Sequence, residues 1–209
     1  IRCLQQLACR IVDQADIAVM VRHDDAGLQA LDDDDRRLMS IIDDNTGRVN
    51  TIVENILQLS RPVRPAPQTI RLGEWAEKFV DEFIRSGYCS SEHISCVIEP
   101  ADMEIQIDPS QLHQVAWNLC QNAMQHGKPG EPVELRLQAG LSVRRRTPYL
   151  DIIDNGAGIP PELQDRVFEP FFTTRSSGTG LGLYIAREIC EGNHTYLDYL
   201  PRPGGGSCF

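Results

Sequence analysis

The most informative stretch of this sequence is an apolar strand that ends in a carboxylate and two glycines. It reads Leu150-Asp151-Ile152-Ile153-Asp154-Asn155-Gly156-Ala157-Gly158-Ile159. A carboxylate at the end of a strand can accept a hydrogen bond from an exocyclic amine, such as the one on adenine. The glycines that follow allow the backbone to approach a planar ring. Because Asp-Asn-Gly is also common turn chemistry, the stretch by itself is equally consistent with an ordinary strand-to-loop turn.

A second glycine pattern follows about twenty residues later and leads into a helix. It reads Gly178-Thr179-Gly180-Leu181-Gly182-Leu183. Alternating glycines at a helix start expose backbone N–H groups to an anion such as phosphate. The spacing differs from the dinucleotide-binding fingerprint, and no Gly-Lys-Ser/Thr follows as in a P-loop.

Two further clusters flank these glycine loops. Asn118 and Asn122 are four residues apart and therefore share one face of a predicted helix, where amide oxygens can bind a hard cation. Taken alone, paired asparagines indicate only exposed polar residues. The segment 168–175 contains Phe-Glu-Pro-Phe-Phe-Thr-Thr-Arg, and its aromatic residues are expected to anchor a loop by packing. Arg175 is either a phosphate ligand or a solvated arginine.

Periodicity predicts the remaining elements of residues 68–209. Helices are expected at Leu72–Arg85, from Asp108-Pro109 to about Gln125, at Glu162–Phe168 and at Leu181–Glu191. Strands are expected at Ile94–Ile98, Met103–Ile107, Pro132–Leu141, Tyr149–Ile153, Thr195–Leu200 and Ser207–Phe209. The run Gly204–Gly206 suits a turn between the last two strands.

In this order and at these spacings, the four clusters resemble the ATP-binding domain of sensor histidine kinases. That domain belongs to the superfamily of gyrase, Hsp90, histidine kinase and MutL ATPases. The resemblance covers residues 68–209 and implies an α+β fold, a two-layer α/β sandwich of the Bergerat type. Within the family, three segments are most similar to the nitrogen-regulation and pilus-regulation kinases: Asp35–Leu38, Val53–Arg61 and the short lid from Phe172 to Gly178.

The resemblance also implies a role for each matching position, with ATP and Mg²⁺ as the cofactors. Asn122 would ligand Mg²⁺, Asn118 would support the metal and the phosphates, and Asp154 would contact the adenine amine. His126 would lie near the nucleotide, although a plain helix-end histidine is the alternative. The other residues that would shape the base pocket, the lid and the phosphate loop are Gly156, Gly158, Ile159, Phe172, Thr174, Arg175, Gly178, Thr179, Gly180, Leu181, Gly182 and Leu183.

One substitution favours phosphoryl transfer over hydrolysis. In the hydrolysing relatives a glutamate stands four residues before the metal-binding asparagine and activates water. Here that position is Asn118, which cannot act as a base. The resemblance therefore implies transfer of the γ-phosphoryl group to a histidine and then to an aspartate of a response-regulator receiver domain.

Residues 1–60 are predicted to be helical. Apolar residues trace one face of a helix over 32–60, and Asp32–Asp35 suit its start better than they suit a metal site. The resemblance implies a dimerisation and phosphotransfer hairpin that pairs with a second copy in a four-helix bundle. Three prolines within residues 61–67 predict an extended linker between this segment and the ATP-binding domain.

The family's phosphoacceptor motif is not recognisable in this segment. His23 is followed by Asp24 and Asp25 but lacks the Arg-Asn-Pro continuation, so it is a weak candidate acceptor. Either the acceptor precedes this chain, or the segment is degenerate, or its sequence is corrupted. Two alternatives therefore stay open: an ATP-binding scaffold or phosphatase without autokinase activity, and a hydrolysing ATPase of the same superfamily.

Composition and charge argue against several other classes of protein function. The 209 residues carry a net charge of −10, which argues against broad nucleic-acid binding through phosphates. There is no apolar run near the ~18 residues that a membrane span needs, so any anchor would lie outside this chain. Seven cysteines without a Cys-x-x-Cys pair predict reduced thiols rather than a zinc site. These features predict a cytoplasmic chain, and the resemblance implies the cytosolic part of a longer, membrane-anchored bacterial sensor.

Overall fold

The computed structural model describes residues 36–42, 45–46, 65–143, 146–175 and 178–209. The chain divides into two compact units, residues 1–50 and residues 51–209. In the first unit, residues 36–42 and 45–46 are helical, within the helix predicted over 32–60. The rest of that helix, its partner in residues 1–23 and most of the linker lie outside the described residues, so the hairpin and the domain boundary stay predictions.

The second unit contains three α-helices and seven strands within the part of the chain that the structure describes. In chain order they are β1 (Gln68–Arg71), α1 (Leu72–Arg85), β2 (Ile94–Ile98), β3 (Glu104–Ile107), α2 (Pro109–Gln125), β4 (Leu135–Leu141), β5 (Pro148–Asp154), α3 (Gly182–Gly192), β6 (Leu200–Pro201) and β7 (Ser207–Cys208). No helix within the described ranges is both long and apolar enough to cross a membrane.

The helices form one layer and a five-stranded sheet forms the other. The strand order is β2-β4-β5-β7-β6, with β2 parallel to β4 and the remaining pairs antiparallel. Phe79 and Phe83 of α1 and Leu119 of α2 pack against Leu137 and Ile152 of the sheet. Alternation along β4 and β5 places these apolar residues on one face, so the predicted α/β sandwich is confirmed.

A second, smaller sheet closes one end of the helical layer. Strands β1 and β3 pair antiparallel, and Ile107 packs in a separate cluster with Leu72, Met103 and Leu112. Because β1 runs directly into α1 and β3 leads into α2, this pair of strands fixes where both helices begin.

Asp108 begins α2 and joins three parts of the domain. Its Oδ1 accepts from the backbone N–H groups of Ser110 at 2.9 Å and Gln111 at 3.2 Å, as an N-cap does. Its Oδ2 accepts from the N–H of Ala66 at 2.9 Å, and its own N–H donates to the side chain of Asn193 beyond α3 at 3.2 Å. Burial alone would raise the pKa of Asp108, but these hydrogen bonds to the carboxylate outweigh it and lower the pKa.

Four of the predicted elements differ in the structure. In place of the helix predicted at Glu162–Phe168 there is a 3-10 turn, Pro161–Leu163, followed by turns. The hydrogen bonds there run between residues three apart, since a single turn cannot offset the cost of nucleating an α-helix. The strand predicted at Pro132–Leu141 begins only at Leu135. The preceding backbone bonds the side chain of Asn155 instead, which donates to the carbonyl of Pro132 and accepts from the N–H of Glu134.

The closing strands are also shorter than predicted. The strand predicted over Thr195–Leu200 is reduced to Leu200–Pro201, and the N–H of Thr195 bonds instead to Cys190 at the end of α3. Strand β7 ends at Cys208, although Phe209 still exchanges both backbone hydrogen bonds with Ile152. The predicted turn at Gly204–Gly206 is confirmed, with all three glycines at positive φ.

We predict that Asp108→Ala lowers the free energy of unfolding by about 1–2 kcal/mol, because it removes a helix N-cap. The lowered pKa gives this contribution a pH dependence. It is present above the ordinary pKa of 3.8 and is lost as the pH falls through the lower pKa of the folded state. Urea unfolding of the full chain between neutral pH and pH ~3 measures both effects. Asp108→Asn, which retains a capping oxygen but does not titrate, should lose less stability at neutral pH and lack this acid-dependent loss.

Candidate nucleotide-binding site

Asp154 is a buried carboxylate at the end of β5. Its Oδ1 accepts from the N–H of Gly156 at 2.8 Å and from the N–H of Ser207 at 3.1 Å. Among the described residues, no hydrogen bond reaches Oδ2. The carboxylate is therefore held through one oxygen, and the other is available to a ligand.

Glycines allow three backbone segments to converge beside Asp154. A Cβ at Gly156 would lie 2.8 Å from the carbonyl oxygen of His126, and a Cβ at Gly158 would lie 3.0 Å from the carbonyl oxygen of Gly206. A Cβ at Gly206 would collide with the carbonyl oxygen of Asp154 itself. Only glycine fits these approaches, so the turn after β5, the end of α2 and the turn before β7 form one packed unit.

Ile159 is held at both its backbone groups. Its N–H donates to the hydroxyl of Tyr199 at 3.0 Å, and its carbonyl accepts from the side chain of Gln164 at 2.9 Å. These contacts fix the far end of the turn that contains Gly156 and Gly158.

The two asparagines of α2 face the start of α3. Asn118 Nδ2 donates to the carbonyl oxygen of Gly182 at 3.3 Å. A Cβ at Gly182 would lie 3.8 and 3.9 Å from the amide nitrogen and oxygen of Asn122. The buried Nδ2 of Asn122 has no hydrogen-bond partner. An unpaired buried amide is energetically costly. The side chain of Asn122 is therefore suited to bind a ligand that supplies the missing hydrogen-bond partner.

The glycine loop before α3 is packed against the aromatic segment. Gly180 has a φ of +67°, and a Cβ there would collide with the backbone of Phe171. Leu181 is fully buried and Leu183 packs against the core. The N–H of Gly178 donates to the carbonyl of Arg175 at 3.2 Å, and the N–H of Leu181 donates to the hydroxyl of Thr179 at 3.4 Å.

The aromatic residues of 168–175 do not all anchor the loop. Phe168 is buried, and Phe172 is half-buried under the guanidinium of Arg166, 4.5 Å from the ring centre. Phe171 is exposed and has a positive φ of 64°, so the prediction that the aromatic residues pack is wrong for this residue. Thr174 is exposed.

Positive groups surround this region of an acidic chain. Arg175 Nη1 donates to the carbonyl of Gln125, the last residue of α2. A Cβ at Gly205 would lie 3.3 Å from Lys128 Nζ. The pKa of His126 is lowered by desolvation and further by the charge of Arg175, while Asp154 opposes the shift. His126 is therefore a neutral group at pH 7, and the fixed cations are the groups that would attract an anion.

The structure thus brings part of the predicted site together along α2. Asn118 and Asn122 contact Gly182, His126 contacts Gly156, and Arg175 bonds the last residue of the helix. His126 also interacts electrostatically with Asp154 and Arg175. Gly158 packs instead against Gly206, and Gly180 packs against Phe171. His23 lies outside the described residues.

Sequence reasoning missed residues that shape the site from a distance. Arg202 Nη1 donates to the carbonyl oxygen of Asp154 at 2.8 Å, and Asn155 bonds the backbone of Pro132 and Glu134 at 3.0 and 2.9 Å. The glycine run at 204–206 was a signal for a turn. Nothing near Arg202 in the sequence indicates its partner 48 residues away.

Residues 107–209 match the family described as histidine kinase-, DNA gyrase B- and HSP90-like ATPases. The matched range contains α2, the glycine turn after β5 and the glycine loop before α3. These are the elements that carry the candidate site.

The curated relatives that this chain matches are sensor kinases. The sensor protein kinase PilS of Pseudomonas aeruginosa is 43% identical over 186 residues, covering 87% of this chain and 34% of the relative. The sensory histidine kinase/phosphatase NtrB of Salmonella typhimurium is 36% identical over 113 residues, covering 51% of this chain and 32% of the relative. The chain thus spans about a third of the length of these curated relatives.

A solved structure agrees with this assignment. Histidine kinase ThkA, in complex with the response regulator protein TrrA, is 26% identical with a TM-score of 0.66, covering 99% of this chain and 59% of that one. Residues 107–209 therefore form an ATP-binding domain of the kind found in histidine kinases. The resemblance drawn from the four sequence clusters is therefore confirmed.

We predict that Gly182→Ala lowers nucleotide affinity at least about tenfold while the fold is retained. The added Cβ would make ordinary contacts with the Asn122 amide, so it would fill the space beside that amide without a steric clash.

Gly192→Ala is the matched control at the other end of α3, where a Cβ would meet only Pro65 at 3.9 Å. Binding of a fluorescent ATP analogue and thermal unfolding should be measured for both variants. Equal affinities for Gly182→Ala and the wild type would contradict the placement of phosphate beside Asn122.

Proposed function

We propose that this chain is the catalytic core of a sensor histidine kinase, which transfers the γ-phosphoryl group of ATP to a histidine. A response-regulator aspartate would then receive the group. The single observation that carries the proposal is the convergence of Asn118 and the buried, unpaired amide of Asn122 on Gly182. This arrangement places a polar group with no protein partner at the start of a glycine-loop helix.

Asp154 would select the base. Its Oδ2 would accept a hydrogen bond from the 6-amino group of adenine, while Oδ1 stays bonded to Gly156 and Ser207. Guanine carries an oxygen at that position, which a carboxylate would repel. The close backbone packing at Gly156 and Gly158 fixes the turn after β5 against which the base would lie.

Asn122 and Asn118 would bind at the triphosphate end. The carboxamide of Asn122 offers an oxygen to Mg²⁺, and rotating the amide exchanges its donor and acceptor. Mg²⁺, when bound, neutralises charge on the phosphates. The N–H groups at the start of α3 and the guanidinium of Arg175 would add donors and positive charge there.

Transfer to a protein side chain is favoured over hydrolysis by the chemistry of α2. A hydrolase needs a group that removes a proton from water, and the carboxamide of Asn118 cannot do so. Asn118 is instead bonded to the carbonyl of Gly182, which suits a positioning role. The site would therefore hold the γ-phosphoryl group in place until an acceptor histidine approaches.

The acceptor and the dimer are part of the same proposal. Leu38, Ile41 and Ile42 lie on the helical segment 36–42 and are 56%, 47% and 59% exposed, which supports burial against a second copy in a four-helix bundle. His23 is the candidate acceptor in this chain. ThkA in complex with TrrA provides the precedent for a response-regulator partner.

A second candidate function is removal of phosphate from a response regulator without autokinase activity. It is favoured by the unrecognisable acceptor motif and by the relative named as a histidine kinase/phosphatase.

The proposal is tested by incubating the full chain with γ-labelled Mg-ATP, alone and with the phosphoacceptor domain of a PilS relative. We predict acid-labile label on a histidine in at least one reaction, and its loss in Asn122→Ala. Gln121→Ala removes a neighbouring carboxamide that bonds Tyr88 instead and should keep the label.

The labelled chain identifies the acceptor. Label on the chain alone that disappears in His23→Gln assigns His23, whereas label only on the added domain means that the acceptor lies elsewhere. Steady release of phosphate without protein label would contradict the kinase proposal and favour a hydrolase. Dephosphorylation of a response regulator without any label would favour the second candidate.

A further inference from the structure

The segment from Arg202 to Ser207 contacts Asp154 through its main-chain carbonyl and Oδ1, not through Oδ2. Arg202 Nη1 donates to the main-chain carbonyl of Asp154 at 2.8 Å. The N–H of Ser207 donates to Oδ1 of the same residue at 3.1 Å. The backbone of Gly206 lies against the same carbonyl, because a Cβ there would collide with it.

The Arg202 contact occurs where the sheet no longer supplies a donor. On one side, Asp154 still pairs with Leu135 of β4. On the other side, the pairing of β5 with β7 is at Ile153 and Cys208. The carbonyl of Asp154 takes its donor on that side from the guanidinium, and a charged donor makes a stronger hydrogen bond than a neutral one.

The main chain and the side chain of Asp154 are therefore fixed by neighbouring residues of one turn. Oδ1 is bonded to Gly156 and Ser207, so the direction of Oδ2 depends on the orientation of the Asp154 backbone. Arg202 restrains that backbone. Without the guanidinium, the carbonyl would lose the hydrogen bond that restrains its tilt, and Oδ2 would move with it.

We propose that Arg202 is a positioning residue for base selection, which holds Asp154 so that Oδ2 points at the 6-amino group of adenine. The inference rests on the proposed role of Asp154 and extends it to a residue that touches neither the base nor the phosphates. Arg202 is exposed as a residue, so its removal leaves no cavity in the core, and its effect falls on selectivity rather than on folding.

The test compares ATP with the triphosphate of purine riboside, which is ATP without the 6-amino group. Dissociation constants for both are measured by calorimetry on the full chain, for the wild type and for Arg202→Met. Methionine retains the aliphatic stem but cannot donate. We expect the ratio of the two constants to fall by about three- to tenfold, as for the loss of one buried hydrogen bond. The midpoint of thermal unfolding should stay within about 3 °C.

Arg85→Met is the matched control. Arg85 is also an exposed arginine that donates to a backbone carbonyl, that of Asp81 at 3.1 Å, on α1. Its loss should leave the ratio unchanged. Arg202→Gln, which is too short to reach the same carbonyl, provides a second variant and should lower the ratio as Arg202→Met does.

The outcomes separate this inference from the proposed function. If the wild type prefers ATP and both Arg202 variants keep the wild-type ratio, Arg202 has no positioning role, and base selection by Asp154 still stands. If the wild type binds the two nucleotides equally, the adenine contact of Asp154 itself is wrong, and the inference fails with it. A fall in the ratio in the Arg202 variants but not in Arg85→Met supports the proposal.

Discussion

The hydrogen bonds to Asp154 Oδ1 hold the candidate site together. Gly156 and Ser207 both donate to this oxygen, so one buried carboxylate joins β5, the turn that follows it and the first residue of β7. The neighbouring glycines permit this arrangement, because a side chain at Gly206 would collide with the Asp154 carbonyl. A buried carboxylate requires such partners, and the same partners leave its second oxygen for a ligand.

The opposite wall of the site depends on α2. Asp108 caps the start of this helix and also bonds Ala66 and Asn193, so the helix is fixed at its N-terminal end. Near its other end, Asn118 bonds the first residue of α3. The amides and the glycine loop are thereby held by elements whose cores pack independently of any ligand. A site built on packed helices can be formed before the nucleotide arrives, which reduces the cost of binding.

Much of the fold could be predicted because its signals are local. Asp108-Pro109 combines an N-cap residue with a proline suited to the first helical position, and the alternation along β4 and β5 identifies the buried face of a sheet. The helix predicted at 162–168 was wrong because the local sequence pattern does not distinguish a 3-10 turn from a short α-helix. Glycine spacing and the asparagine pair indicated the site. Arg202, Asn155 and Tyr199 could not be found, because their roles come from contacts between segments distant in sequence.

Recognition of adenine by Asp154 is the central claim, and the affinity of Asp154→Asn for ATP and GTP tests it most directly. Calorimetric titration of both nucleotides with Mg²⁺ into the wild type and the variant gives four dissociation constants. We predict that the wild type prefers ATP, and that the variant binds ATP at least about tenfold more weakly, as expected when a hydrogen bond to a charged group is lost. Unchanged ATP affinity in a folded Asp154→Asn protein, or equal binding of ATP and GTP by the wild type, would contradict the role of this carboxylate in base recognition.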